Sequence, residues 1–167
     1  RALNRGFNAA RHDWVLSLSA HTIPAHADFL ESYGQAIERF PSSVTAAVGP
    51  ILGEFDAALS GGITLFQGND LRRGFGFGAG NPNSLYLRSA WQRRPFDEEI
   101  GGGEDLQWYF DALKAGETIA AVHAAGVHYR NRRSMRAFYQ KGRVDYRAMA
   151  RFFEPHRPSL SGILIRA

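Results

Sequence analysis

Gly101-Gly102-Gly103-Glu104-Asp105-Leu106-Gln107-Trp108 is the stretch around which the chain is organised. Three glycines supply a backbone that turns sharply and comes close to neighbouring groups. Leu106, Tyr109, Phe110 and Leu113 then recur at helical spacing, which predicts a helix from Glu104 to Ala115 closed by Gly116 just past its end. Two adjacent carboxylates therefore stand at a helix mouth. The unbonded N–H groups and the dipole there favour negative charge, so Glu104 and Asp105 have two readings, helix stabilisation and chemistry.

Outward from that helix the chain alternates. On the C-terminal side, Thr118–Val122 and Gly126–Tyr129 read as short strands and Ser134–Phe153 as a long helix. On the N-terminal side, Leu3–Arg11 reads as a helix and Asp13–Ser19 as a strand whose small and apolar residues suit a central place in a parallel sheet. Ala27–Phe40 reads as a helix stopped by Pro41, Val44–Leu52 as one strand, Asn83–Leu87 as a short strand and Arg88–Gln92 as a helical turn. Between Phe55 and Pro82 the pattern dissolves into glycine-rich sequence, expected to form a long loop with a hairpin. Its Gly74-x-Gly76-x-Gly78-x-Gly80 alternates with phenylalanines like a strand rather than a phosphate loop. Strands alternating with helices predict an α/β fold with a mixed, mostly parallel sheet.

With 167 residues, 44% of them hydrophobic, the chain fills one core and is short for two domains, so residues 1–167 are expected to be a single domain. No apolar run approaches the roughly 18 residues a membrane crossing needs. The absence of cysteine excludes disulfides, zinc–thiolate sites and thiol catalysis, and it fits a reducing compartment, so a cytoplasmic location is expected. The net charge is +4, yet between Arg130 and Arg157 nine basic residues stand against only Asp145 and Glu154. In the 134–153 helix, Met135, Phe138, Tyr139, Tyr146 and Met149 fall on one side and most of the cations on the other. Such a basic amphipathic helix either docks its apolar face on the domain or lies on an anionic membrane surface at the inner face of the membrane. No nucleic-acid-binding motif is recognisable.

The succession of motifs resembles the family 2 glycosyltransferases with the GT-A fold. The pieces are Asn4-Arg5-Gly6, Leu18-Ser19-Ala20-His21-Thr22-Ile23-Pro24, the run from Asn83 to Trp91 that contains Leu87-Arg88, Pro95-Phe96-Asp97, Gly103-Glu104-Asp105-Leu106-Gln107-Trp108 and Val127-His128. Their order and spacing span about Arg1 to Arg151. The resemblance implies a three-layer α/β/α nucleotide-diphospho-sugar transferase fold. In this family a βα-rich half that binds the nucleotide base comes first, and the chain resembles the portion that follows it, so the domain is expected to be incomplete at its N-terminus.

The implied activity is inverting transfer of a sugar from a nucleotide-diphosphate donor to a carbohydrate or lipid-linked acceptor. By the resemblance Asp105 is the general base and Glu104 its neighbour; Asn4, Ser19 and His21 face the donor; and Asn81, Asn83, Ser84 and Trp108 face the acceptor. Turn chemistry for the asparagines and burial for Trp108 are the alternatives. The family's usual divalent metal, Mn or Mg, is held by an Asp-x-Asp motif. Ser19-Ala20-His21 replaces that motif here, which leaves His21 and His128 as the expected ligands. The rival reading from the same residues is a catalytically idle GT-A-like binding or scaffolding domain.

Overall fold

In a computed structural model of the chain, residues 2–52, 61–68, 70, 82–100, 102–130, 136, 139–140 and 142–143 are described. Within the expected glycine-rich loop residues 61–68 and 70 are described and carry a strand, Ile63–Phe66, while the expectations for its Gly74–Gly80 run, for Asn81 and for most of the 134–153 helix lie outside the described residues. The elements in chain order are α1 (Ala2–Ala9), β1 (Trp14–Leu18), β2 (Thr22–Pro24), α2 (Phe29–Ile37), β3 (Val44–Val48), β4 (Ile51–Leu52), β5 (Ile63–Phe66), β6 (Asn83–Leu87), α3 (Arg88–Arg93), α4 (Glu104–Lys114), β7 (Thr118–Val122) and β8 (Val127–Tyr129). The fold is α/β, with one five-stranded and one three-stranded sheet.

The five-stranded sheet has the order β1-β6-β3-β7-β5. Alternation along its strands sends side chains into two separate cores. Ala46, Val48, Tyr86, Ile119 and Ala121 pack with Phe7 of α1, Trp91 of α3 and Trp108, Tyr109 and Leu113 of α4. Val44, Ala47, Leu85, Ala120 and Val122 pack on the other face with Phe29, Tyr33 and Ala36 of α2. Helices thus cover both faces of the sheet.

The sheet is mixed but not mostly parallel. Only β3 and β7 pair in parallel; β1 with β6, β6 with β3 and β5 with β7 are antiparallel. The reason is topological: β6 inserts between β1 and β3 in the opposite direction. Insertion of β6 also leaves β1 at an edge of the described sheet, not at its centre.

The expected strand Val44–Leu52 is broken at Gly49-Pro50. Proline has no N–H for a ladder, and the chain leaves the main sheet there. A side chain at Gly49 would collide with the Ala125 carbonyl and the Asn83 amide. Past this break β4 joins the small sheet β2-β8-β4, parallel to β8, while β2 pairs antiparallel with β8.

Helix α4 follows its sequence signals closely. Gly103 caps it in the left-handed region at φ 80°, and Gly116 follows its end at φ 81°. The Gly116 and Glu117 amides donate to the Leu113 and Ala112 carbonyls, a paired closure that satisfies two of the helix's last acceptors. Among the described residues no helix is long and apolar enough to cross a membrane.

Candidate functional site

Strands β1, β3 and β7 run in one direction, so the chain leaves all three at the same edge of the sheet, at Ser19, Gly49 and His123. Strand β6 begins at that edge: the Ser19 amide donates to the Pro82 carbonyl at 3.3 Å and the Gly49 amide to the Asn83 carbonyl at 3.2 Å. Helix α4 ends where β7 begins, which brings its first turn, with Glu104 and Asp105, toward this same edge. In open α/β sheets ligands gather at the carboxyl ends of the parallel strands.

Ser19-Ala20-His21 forms a tight turn. The Thr22 amide and hydroxyl both donate to the Ser19 carbonyl, at 3.0 and 2.7 Å, and the His21 amide donates to the Ser19 hydroxyl at 3.3 Å. Across β2 and β8, Ile23 lies opposite His128 and Thr22 opposite Tyr129. The exposed His21 ring meets the edge of Tyr129 with centroids 6.1 Å apart, and the Arg130 amide donates to the His21 carbonyl at 2.8 Å. The small sheet therefore brings His21 beside the strand that carries half-buried His128. Two imidazoles and a hydroxyl that already accepts a bond do not fit the oxygen-rich shell of Mg, and they offer Mn only an incomplete shell. Among the described residues no group of three or more His, Asp or Glu side chains could hold a metal ion.

At the mouth of α4 the two carboxylates part. Asp105, half-buried, accepts the Leu106 amide at 2.8 Å, one of the N–H groups a helix start leaves unbonded. Glu104 lines a cavity of about 380 Å³ with Leu3, Phe96, Asp97, Glu98 and Ile100. It also lines a neighbouring cavity of about 190 Å³ with Arg94, Gln107 and Asp111. The two cavities share Phe96, Asp97 and Glu104, so a largely polar groove rich in carboxylates runs beside α4. Asp97 was visible in the sequence as part of Pro95-Phe96-Asp97; Glu98 and Ile100 carried no signal beyond lying next to it.

Four of the expected contact residues are bonded or packed within the fold. Asn4 uses both donors and both lone pairs: Nδ2 donates to the Phe96 carbonyl and Glu98, and Oδ1 accepts from the Phe96 amide and Trp91 Nε1. It ties α1 to the loop before α4 and has no bond left for a donor. Asn83, 1% exposed, accepts the Tyr33 hydroxyl and donates to the Ala125 carbonyl. Ser84 is completely buried. Trp108 is a core residue whose Nε1 donates to the Arg94 carbonyl at 2.7 Å, with the Arg94 guanidinium 5.5 Å over its ring. Asn83 and Ser84 do not meet an acceptor arriving from solvent, whereas Trp108, although buried, lines the 190 Å³ cavity together with Glu104.

Two tyrosines, one on α4 and one on β6, meet in the core. Tyr86 and Tyr109 stack with ring centroids 5.6 Å apart and planes 16° from parallel. Both rings are completely buried. Burial pushes both phenols well above their usual range, and the nearby Asp105 charge pushes in the same direction. Both are therefore neutral donors at any physiological pH.

No protein-family model matches the chain, and comparison with curated proteins gives no match. Among solved structures, one described as the crystal structure of a mycobacterial protein is similar in fold, with a TM-score of 0.54 and 19% identity over 79% of this chain. The chain spans 44% of the length of that structure.

Proposed function

We propose that the chain is an inverting glycosyltransferase domain of the GT-A type, resembling family 2, that moves a sugar from a nucleotide-diphosphate donor to a carbohydrate or lipid-linked acceptor. The observation that carries the reading is the meeting of two motifs at one sheet edge. The Ser19–His21 turn ends β1 there, and the Gly103-Glu104-Asp105 helix mouth opens toward the same side.

In this reading the acceptor hydroxyl attacks the anomeric carbon as the bond to the donor diphosphate breaks, with inversion at that carbon. Asp105 takes the hydroxyl proton as general base. Glu104, on the groove, orients the acceptor. The turn at Ser19 and His21 faces the donor diphosphate in this reading, and because His21 and His128 do not make a fitting shell for a hard divalent ion, no step is routed through one.

A binding module without catalysis is the second reading, favoured by one specific observation: no carboxylate occupies the Ser19–His21 turn. Release of nucleoside diphosphate from a panel of UDP-, GDP- and dTDP-hexoses, with alkyl glycosides as acceptors, separates the two. Transfer is expected with at least one donor, and Asp105→Asn should lower turnover by about 10² or more with the fold intact. Saturable binding of nucleotide with no turnover would favour the module.

A further inference from the structure

The strands that reach the site edge bring no carboxylate to it. Three segments run up to that edge and past it: residues 14–24 through β1, the turn and β2; residues 44–52 through β3 and β4; and residues 118–130 through β7 and β8. None of them contains an aspartate or a glutamate. Apart from Tyr129, their ionisable side chains are His21, His123, His128 and Arg130. The acids that approach the edge, Glu104 and Asp105, come from α4, and among the described residues they join no group of three that could hold a metal ion. A hard divalent ion at the Ser19–His21 turn therefore lacks the oxygen ligands it prefers. A diphosphate there meets no like charge from the strands and finds one fixed cation beside the turn.

That cation is Arg130. Its amide donates to the His21 carbonyl at 2.8 Å, one step beyond the Thr22–Tyr129 pair, so the ladder of β2 and β8 holds it opposite His21. Both residues are exposed. Arg93 and Arg94 bind Glu117, whereas Arg130 has no carboxylate partner among the described residues. A guanidinium is charged at any working pH, and its planar fork of donors matches phosphate oxygens.

We infer that this edge takes up the donor diphosphate directly, without a metal bridge, with Arg130 supplying the positive charge and the Ser19 hydroxyl and His21 ring supplying hydrogen bonds. The inference rests on the proposed placing of the donor at the Ser19–His21 turn. In the transfer, the anomeric C–O bond breaks and its electron pair stays on the diphosphate oxygen. The acceptor oxygen forms the new bond and its proton passes to Asp105. The charge that grows on the departing diphosphate is met by the Arg130 guanidinium, aimed at the place where it develops.

Calorimetry with UDP, GDP and dTDP, each in EDTA and in excess Mn²⁺, tests this separately from turnover. At least one of them is expected to bind in EDTA, with an affinity within about twofold of that in Mn²⁺. Arg130→Gln should weaken that binding about tenfold with Tm unchanged, the scale of one charge-assisted bond lost, and Arg130→Lys should restore part of the loss. Binding that requires Mn²⁺, equal affinity in Arg130→Gln and the parent, or no binding in either buffer overturns the inference. Transfer from the hexose donors that EDTA abolishes overturns it too, while leaving the transfer reading intact. Binding that resists EDTA and depends on Arg130, with no turnover from any donor, upholds the metal-free site and overturns the transfer reading alone.

Discussion

The Tyr33 hydroxyl donates to Oδ1 of Asn83 at 2.9 Å, tying α2 to the first residue of β6. The same side chain donates from Nδ2 to the Ala125 carbonyl at 2.6 Å, and its backbone carbonyl accepts the Gly49 amide. One buried asparagine therefore joins α2, β6, the break after β3 and the turn between β7 and β8. Asn83→Ala leaves the Ala125 carbonyl unbonded in a dry site and strips Tyr33 of one partner, at a cost of roughly 1–3 kcal/mol. Tyr33→Phe should cost less. The two should be less than additive in chemical denaturation, since they share one bond. Additive losses would mean that the bond contributes nothing of its own.

Asn4 provides a sharper test of role. Its four hydrogen bonds hold α1 against the 91–98 segment, so Asn4→Ala should lower stability by roughly 1–3 kcal/mol as the Phe96 amide and Trp91 Nε1 lose their acceptor. Calorimetry with UDP and GDP, run well below the Tm of the variant, should show affinity within about twofold of the parent. A stable variant with lost nucleotide affinity would restore Asn4 to the donor site.

At the opposite edge of the sheet Glu117 gathers three donors. Arg93 and Arg94 approach it at 3.2 and 3.1 Å, and the Thr45 hydroxyl donates at 3.0 Å. Burial by itself would push this carboxyl up. The hydrogen bonds from Arg94, Thr45 and Arg93, with the Arg94 charge, outweigh burial and hold it below its ordinary value near 4.5. A carboxyl depressed in the folded state adds stability above its unfolded value, and that contribution disappears as pH falls through the folded one. Tm should therefore drop as pH falls below about 4.5, and Glu117→Gln should flatten that part of the curve while lowering Tm at pH 7. Parallel curves for the two proteins would show that other carboxylates govern acid unfolding.

What was legible in the sequence was what local periodicity encodes. Leu106, Tyr109, Phe110 and Leu113 share a helical stripe, and Gly116 takes the left-handed turn after it, so α4 was readable to within a residue of its end. Helix coverage of both sheet faces also follows from alternating strands and helices. Strand direction was not legible: nothing within Asn83–Leu87 says that β6 runs against its neighbours. The small sheet was hidden because strands of two or three residues have no period. The bonds and packing of Asn4, Asn83, Ser84 and Trp108 inside the fold were hidden from the sequence for one reason. Their side-chain types suit a sugar site equally well, and what commits them to the interior are partners such as Phe96 for Asn4 and Ala125 for Asn83, 92 and 42 residues away. The residues that do line the groove, Asp97 and Glu98, are ordinary surface acids in sequence.

The clearest asymmetry of charge is between Arg130 and Arg157, where nine basic residues face two acidic ones. Within this segment Arg136, Tyr139 and Arg143 are helical and exposed, and the Arg143 guanidinium lies 6.0 Å over the Tyr139 ring. An exposed aromatic ring beside cations suits the interface of an anionic bilayer, where the ring enters the headgroup layer and the cations meet phosphate. Each Lys or Arg near such a surface is attracted by roughly 1 kcal/mol, so four or five acting together hold a protein loosely and reversibly. The attraction is screened by salt, since the Debye length falls from about 8 Å at physiological strength to about 3 Å at 1 M. The protein is therefore expected to sediment with vesicles of mixed phosphatidylglycerol and phosphatidylcholine, to stay in solution with phosphatidylcholine alone, and to be released by 1 M salt. Changing Arg132, Arg133, Arg136 and Arg143 to Glu should abolish sedimentation, and Tyr139→Ala should weaken it without changing its salt dependence. Equal sedimentation with both vesicle types, or full binding after the four charge reversals, would show that these cations face only water.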